Sequence, residues 1–344
     1  MSCYIIAEAG VNHNGSEEMA FQLVDAAVEA GVDAVKFQTF KAESLVQKGA
    51  EKADYQIKQT GSGSQFEMLK KLELSRVVHV RLAHYCAAKG IEFLSTGFDE
   101  ASIDMLLDLG MKRLKVPSGE LTNKPYIDYV VEKNVPIILS TGMADMDEVR
   151  EAVSWVKSLR GKLGFEDPLE KMLTVLHCTS NYPAPLESVN LKAMHTMADA
   201  LNLPIGYSDH TAGILIPPMA VAMGAEIIEK HFTMDRNLEG PDHKASLEPR
   251  ELAQMVKNIR NVEISLGDGV KAPTESELEV RKVVRRSIVL SLDVKKGESL
   301  TASSLLLLRP QGEVLPKYFE TIVGKIATQD LKAGESLKWL DIEG

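Results

Sequence analysis

His210 closes the run PIGYSDHT and His231 sits near the end of AEIIEKHFT. Each follows an apolar, β-branched stretch, so each is expected at the end of a strand, and the spacing between them is one short β/α unit. The ends of successive parallel strands lie side by side, so two imidazoles should converge on one face. Neutral imidazole is a preferred ligand for borderline divalent metals. A histidine pair with carboxylates nearby and no cysteine suits an open site completed by water. The acidic candidates are Glu8, Asp209 and Asp242. A single strand-end histidine more often works as a hydrogen-bonding or acid–base residue, so it is the pairing that carries the metal expectation. Glu8 has the alternative of a core carboxylate paired with a lysine.

Other strand ends add polar side chains. Lys36 and Gln38 close the second strand and Thr96 the third; Lys115, Ser118 and Glu120 follow the fourth, and Ser140 and Thr141 the fifth. Ser180, Asn181 and Tyr182 follow the sixth and Ser208 lies in the seventh. Two lysines among hydroxyls, in a chain of net charge −10, point to a phosphate- or carboxylate-bearing ligand. With a metal beside them, the chemistry is polarisation of a carbonyl. The rival is a Schiff base on Lys115, as in an aldolase, with the second lysine helping to depress its pKa. Cys178 is a candidate nucleophile, although free cysteine is usually packed.

The elements that must position these residues alternate regularly. Apolar runs begin at Tyr4, Asp33, Ile91, Arg113, Pro136, Leu173, Pro204 and Ala225. Between them lie helix patterns. One is capped by Ser16, carries Glu17 and Glu18 in its first turn, turns Phe21, Val24 and Val28 inward and ends at Gly31. Others span 75–89, 99–109, 124–133 and 145–159. Eight β/α units predict a (β/α)8 TIM barrel over 1–270, against an open doubly wound sheet, which lacks support from any GxGxxG after the first strand. The connection from Lys41 to about Lys70 has no strong periodicity, is long enough to be functional, and carries a hinge-like GSGS at 61–64. Residues 271–284 are charged and read as a linker. Residues 285–344 read as a small β-rich domain in which DVKKGESL (293–300) echoes DLKAGESL (330–337).

The acidic balance speaks against nucleic acid or an anionic membrane as partner. No apolar run approaches the ~20 residues of a membrane span. MSCYIIAEAG has no basic n-region, and three cysteines without a CxxC fit a reducing cytoplasm.

Taken together, AEAGVNHNG (7–15), VKFQTF (35–40), FLSTGF (93–98), LKVPSGE (114–120), ILSTGM (138–143), HCTSNYPAP (177–185), GYSDHT (206–211), EKHFT (229–233) and GPDHKASLEP (240–249) resemble the sialic acid synthases, which make nonulosonic acids. The resemblance runs along essentially the whole chain. It implies a barrel followed by an antifreeze-like (SAF, β-clip) domain in a domain-swapped homodimer. The implied reaction condenses phosphoenolpyruvate with an N-acetylmannosamine-type sugar, using Mn2+ or Mg2+. It assigns the metal to His210 and His231, and phosphoenolpyruvate to Lys36, Thr96, Lys115, Ser118, Ser140, Ser180 and Ser208. At Ser180 the family often has Asn. Gln38, Glu120, Tyr182 and Asp242 become sugar contacts. Arg309, in RPQGE where Gln311 replaces the usual glycine, reaches the partner's site. Glu8 orients water or acts as its base. The product the resemblance implies is N-acetylneuraminate or a close analogue; the alternative is legionaminate, from 2,4-diacetamido-2,4,6-trideoxymannose, for which Phe37 and Phe40 beside Gln38 offer aromatic walls. His243 is either a determinant of that choice or a surface residue. A non-enzymatic carbohydrate-binding role is the remaining alternative, and it leaves the ring of strand-end lysines, glutamates and histidines without a purpose.

Overall fold

The computed structural model describes residues 2–343. The chain forms two compact units, one reaching to Gly267 and one starting at Asp268. In the first, eight parallel strands follow the eight apolar runs: β1 (Tyr4–Gly10), β2 (Ala34–Thr39), β3 (Glu92–Gly97), β4 (Leu114–Val116), β5 (Ile137–Ser140), β6 (Leu173–Cys178), β7 (Ile205–Asp209) and β8 (Ile227–His231). They are ordered β3-β2-β1-β8-β7-β6-β5-β4. β1 pairs with β8, and β3 packs beside β4 to close the circle, giving a nearly closed (β/α)8 barrel rather than an open sheet. Gly206 in β7 is needed for close approach: a Cβ there would lie 2.5 Å from Leu176 Cδ2 and 2.6 Å from the Ile227 carbonyl oxygen.

The first helix starts where its cap predicts, and two others start at the heads of their expected spans. Ser16 accepts from Met19 N at the head of Glu17–Ala30, and Gly31 ends that helix at φ 76°. Ser75 and Asp99 cap Arg76–Lys89 and Glu100–Asp108 in the same way. The buried face of the first helix is Ala20, Leu23, Val24 and Ala27, while Phe21 and Val28 sit half-buried at its margin. Small residues let this helix lie close to the sheet, and the larger ones fill its flank.

The 41–70 excursion is more ordered than its weak periodicity suggested. It holds three short helices, Ala42–Leu45, Asp54–Thr60 and Gln65–Leu72. Each is too short to show a helical period. Met68 and Leu72 form a small satellite core with Val11 and Phe40. The last serine of GSGS, Ser64, builds a capping box with Glu67.

Residues 275–284, within the segment read as a linker, form the helix Glu275–Val284, headed by a Thr274/Glu277 capping box. None of its side chains is buried. β9 (Ser287–Leu290) pairs antiparallel with β10 (Leu305–Leu308) over a core that includes Ile288, Val294, Leu300, Leu331 and Leu337. The repeated octapeptides pair with each other about a local two-fold. Val294 and Leu331 exchange both backbone hydrogen bonds. Lys295 Nζ and Lys296 N donate to Asp330, and Lys332 Nζ and Ala333 N donate to Asp293.

Candidate active site

A cavity of about 400 Å3 opens at the C-terminal ends of the barrel strands. Of the expected site residues, Glu8, Lys36, Gln38, Thr96, Lys115, Ser118, Ser140, Ser180, Tyr182, Ser208, His210 and His231 all line it. A larger cavity, about 660 Å3, lies at the opposite end, lined by Tyr4, Arg113, Thr174 and Ile227. It contains neither histidines nor buried lysines, so the chemistry belongs to the smaller one.

The two lysines do not stand alone, because Glu229 lies between them. Its Oε1 is 3.7 Å from Lys115 Nζ, its Oε2 is 3.7 Å from Lys36 Nζ, and Ser208 Oγ donates to it at 3.2 Å. Glu229 was missed from the sequence, although strand alternation puts it on the same face as His231, two residues on. Lys36 Nζ also pairs with Glu8 Oε2 at 2.6 Å and donates to Thr96 Oγ1 at 3.1 Å. Lys115 Nζ donates to Ser140 Oγ at 2.6 Å. Burial pushes Glu8 up to about 7 against the pull of Lys36. Burial works the same way on Glu229, but Lys115 and Lys36 outweigh it and hold that carboxyl low. Burial lowers Lys115. It also opposes the charge on Lys36, where Glu229 and Glu8 prevail and hold the pKa up. The result is a buried, nearly neutral quartet whose ammonium groups can exchange carboxylate partners for an anionic ligand.

His210 and His231 converge as the strand register requires, with ring centroids 5.5 Å apart. His210 Nδ1 donates to the Thr179 carbonyl at 2.7 Å, which leaves Nε2 as the free lone pair. His231 Nδ1 is buried without a hydrogen-bond partner, 3.9 Å from Asp242 Oδ2. Burial lowers both imidazoles, His231 well below its usual value, so both are neutral at pH 7. A fixed tautomer on one ring and an orphaned buried nitrogen on the other fit a divalent cation held by two imidazoles. No group of three or more histidine, cysteine or acidic side chains among the described residues is arranged to enclose an ion.

Other expectations are corrected. Asp209 does not face the cavity: alternation turns it outward, where it pairs with Lys230 at 2.6 Å with both side chains fully buried. Cys178 lines the cavity, but its Sγ packs 3.2 Å from Ser118 Oγ and burial raises its pKa, which makes it a poor nucleophile. Phe37 and Phe40 are buried elsewhere, Phe37 against Phe93 and Phe40 against Phe98. The apolar wall is instead Ala53, Phe98, Pro117 and Met143. Ala53 comes from the 41–70 excursion. Glu120 lies outside the lining and accepts from Asn123 Nδ2 at 2.6 Å. Arg309 is an exposed residue of the second unit. Gly142 donates its N–H to Ser118 Oγ, and a Cβ there would stand 2.2 Å from Ser180 Oγ and 2.9 Å from Ser118 Oγ, so glycine leaves room for both hydroxyls.

His243 is not a surface residue. It is fully buried, with Nδ1 2.7 Å from Thr233 Oγ1 and Nε2 3.1 Å from Asn14 Oδ1. It therefore anchors the loop that carries Asp242 to the end of β1. Burial pushes Asp242 up to about 6. A carboxyl raised above its unfolded value stabilises the fold below pH ~4 and loses that contribution as pH rises through about 6. Asp242→Asn is thus expected to be more stable than the native protein at pH 7.5 by up to about 3 kcal/mol, the difference vanishing below pH 4. Urea titrations at the two pH values measure this; equal differences at both would contradict it.

Comparison with known proteins identifies the family. The family model of the NeuB family matches residues 23–271. The chain belongs to the NeuB family. The SAF domain model matches residues 285–343. The chain is 54% identical over 344 residues to an N,N'-diacetyllegionaminic acid synthase of Legionella pneumophila, covering all of this chain and 95% of that one. It is 34% identical to the human N-acetylneuraminate-9-phosphate synthase, over 94% of this chain and 88% of the human protein. Among solved structures, an N-acetylneuraminic acid synthetase from Leptospira borgpetersenii, in complex with citrate, superposes with a TM-score of 0.70 at 34% identity. That match covers 81% of this chain and 90% of that one.

Proposed function

We propose that this NeuB-family enzyme condenses phosphoenolpyruvate with an N-acylated mannosamine-type aldose, and that its sugar is 2,4-diacetamido-2,4,6-trideoxymannose, making it a legionaminate synthase. The observation that carries the sugar assignment is the 54% identity, end to end, to a protein of that activity. An apolar wall of Ala53, Phe98 and Met143 also suits a deoxygenated, methyl-bearing ring better than a fully hydroxylated one.

Lys36 and Lys115, with Thr96, Ser118, Ser140, Ser180 and Ser208, bind the phosphate and carboxylate of phosphoenolpyruvate and hold its C3 in line with the sugar aldehyde. Gln38, Tyr182 and Asp242 orient the sugar. His210 and His231 would hold Mn2+ or Mg2+, which supplies Lewis-acid polarisation of the aldehyde. C3 forms the new C–C bond, water adds at C2, and phosphate leaves with C–O cleavage. Glu8, with its pKa near 7, takes the proton of the attacking water and passes it to the alkoxide left on the former aldehyde oxygen, and Lys36 stabilises the carboxylate so regenerated.

The helix Glu275–Val284, which buries no side chain and shows Leu278, Val280, Val283 and Val284 to solvent, supports a homodimer in which Arg309 serves the partner's site. Three free buried cysteines suit a reducing cytoplasm. Among the described residues, no helix is long and apolar enough to cross a membrane.

The deciding experiment measures phosphate release with each sugar, before and after chelation. The diacetamido sugar is expected to give at least tenfold higher kcat/KM than N-acetylmannosamine, with activity lost on chelation and restored by Mn2+. Preference for N-acetylmannosamine would overturn the sugar assignment, and full activity after chelation would overturn the metal. Borohydride treatment with substrate should trap nothing; a labelled Lys115 would revive the Schiff-base alternative.

A further inference from the structure

Asp209 and Lys230 stand immediately before His210 and His231, directly opposite each other in the ladder between β7 and β8. Alternation turns them away from the cavity. Both are completely buried. Lys230 Nζ donates to Asp209 Oδ2 at 2.6 Å and to the Thr211 carbonyl. Asp209 also accepts from Thr211 N at 3.1 Å and Thr211 Oγ1 at 3.0 Å. The pair thereby grips the residues on both sides of His210. The peptide of His210 is held further by Ala184 N, which donates to its carbonyl at 2.8 Å.

A buried ion pair is a poor source of stability. Its desolvation roughly cancels its attraction, and apolar residues of similar volume often serve the fold as well or better. What apolar residues cannot supply is direction. Three hydrogen bonds onto Asp209 and two from Lys230 define the relative height and rotation of two neighbouring strand ends, and those ends carry the imidazoles.

We propose that the Asp209–Lys230 pair is a strut that sets the separation and facing of His210 and His231, and so the affinity of the site for a divalent cation. This rests on the metal reading above. Asp209 and Lys230 are positioning residues; neither touches the cavity.

The test is the double variant Asp209→Leu/Lys230→Met in the full-length protein. It is expected to fold and melt close to the native protein, yet to bind Mn2+ about ten- to a hundredfold more weakly by calorimetry, the range seen when groups that orient metal ligands are removed. Phosphoenolpyruvate affinity, measured without metal, should stay within about twofold, since Lys36 and Lys115 are untouched. Should the double variant not fold, Asp209→Asn, which keeps the shape and one acceptor oxygen, takes its place with the same expected loss of Mn2+ affinity. A folded variant that binds Mn2+ within twofold of the native protein overturns the strut. If the native protein itself takes up no Mn2+, the metal reading fails. The strut is then decided by the imidazole 15N spectrum, in which His210 should be the Nδ1–H tautomer in the native protein and a mixture in the variant. An unchanged spectrum overturns it.

Discussion

His210→Ala is expected to lower kcat/KM by on the order of a thousandfold, with little loss of secondary structure. The imidazole donates Nδ1–H to the Thr179 carbonyl, packs against the Tyr182 ring at 4.2 Å between centroids, and lines the cavity beside His231. Removing it frees one carbonyl at a loop and halves the imidazole donor set. Stabilising a developing oxyanion contributes about 3–4 kcal/mol when one preorganised group is lost, which corresponds to a loss of that size. Because the effect falls on the transition state, kcat should carry more of it than the KM for phosphoenolpyruvate. Steady-state kinetics together with a metal titration check this. A variant that turns over near the native rate after metal stripping would sink the whole electrophilic role of the histidine pair.

Lys115→Met is expected to raise the KM for phosphoenolpyruvate by roughly a hundred- to a thousandfold while changing the KM for the sugar little. Lys115 Nζ is buried, bonded to Ser140 Oγ and within 3.7 Å of Glu229. Truncating one member of a buried charge pair costs about 2–5 kcal/mol. The variant loses an anion partner and also leaves Glu229 facing the incoming phosphate with only Lys36 to offset it. Its melting temperature should fall as well, though less than for a bare buried carboxylate, because Ser208 still donates to Glu229. Lys115→Arg discriminates further. Charge pairing predicts partial recovery, whereas an imine mechanism predicts none.

These two residues illustrate how much a linear reading contains. The eight strands, the cap at Ser16, the helices that begin about Ser75 and Asp99, and the convergence of His210 with His231 follow from short-range rules. A strand is an apolar run between turns, a cap is a hydroxyl or carboxylate one residue before a helix, and parallel strands in sequence order put their ends together. Twelve expected site residues line one cavity for the same reason. Family membership was equally legible, because motifs in order along the chain need no coordinates.

The sequence by itself determined which side chains gather at the barrel mouth; tertiary structure decided how they are paired. Asp209 and Glu229 are both acidic, both near a histidine and both at strand ends. One faces outward into a strut with Lys230, and the other faces inward between two lysines. The parity is readable once the strand is known to begin where it does, but the partner is not, since Lys36 and Lys115 arrive from strands far away in the chain. The same holds for Phe37, lost to the core, and for Ala53, brought to the wall by an excursion whose helices are too short to announce themselves. Burial depends on every neighbouring element at once. A pKa pushed to about 7 at Glu8 or about 6 at Asp242 is a property of the closed barrel and of no single segment.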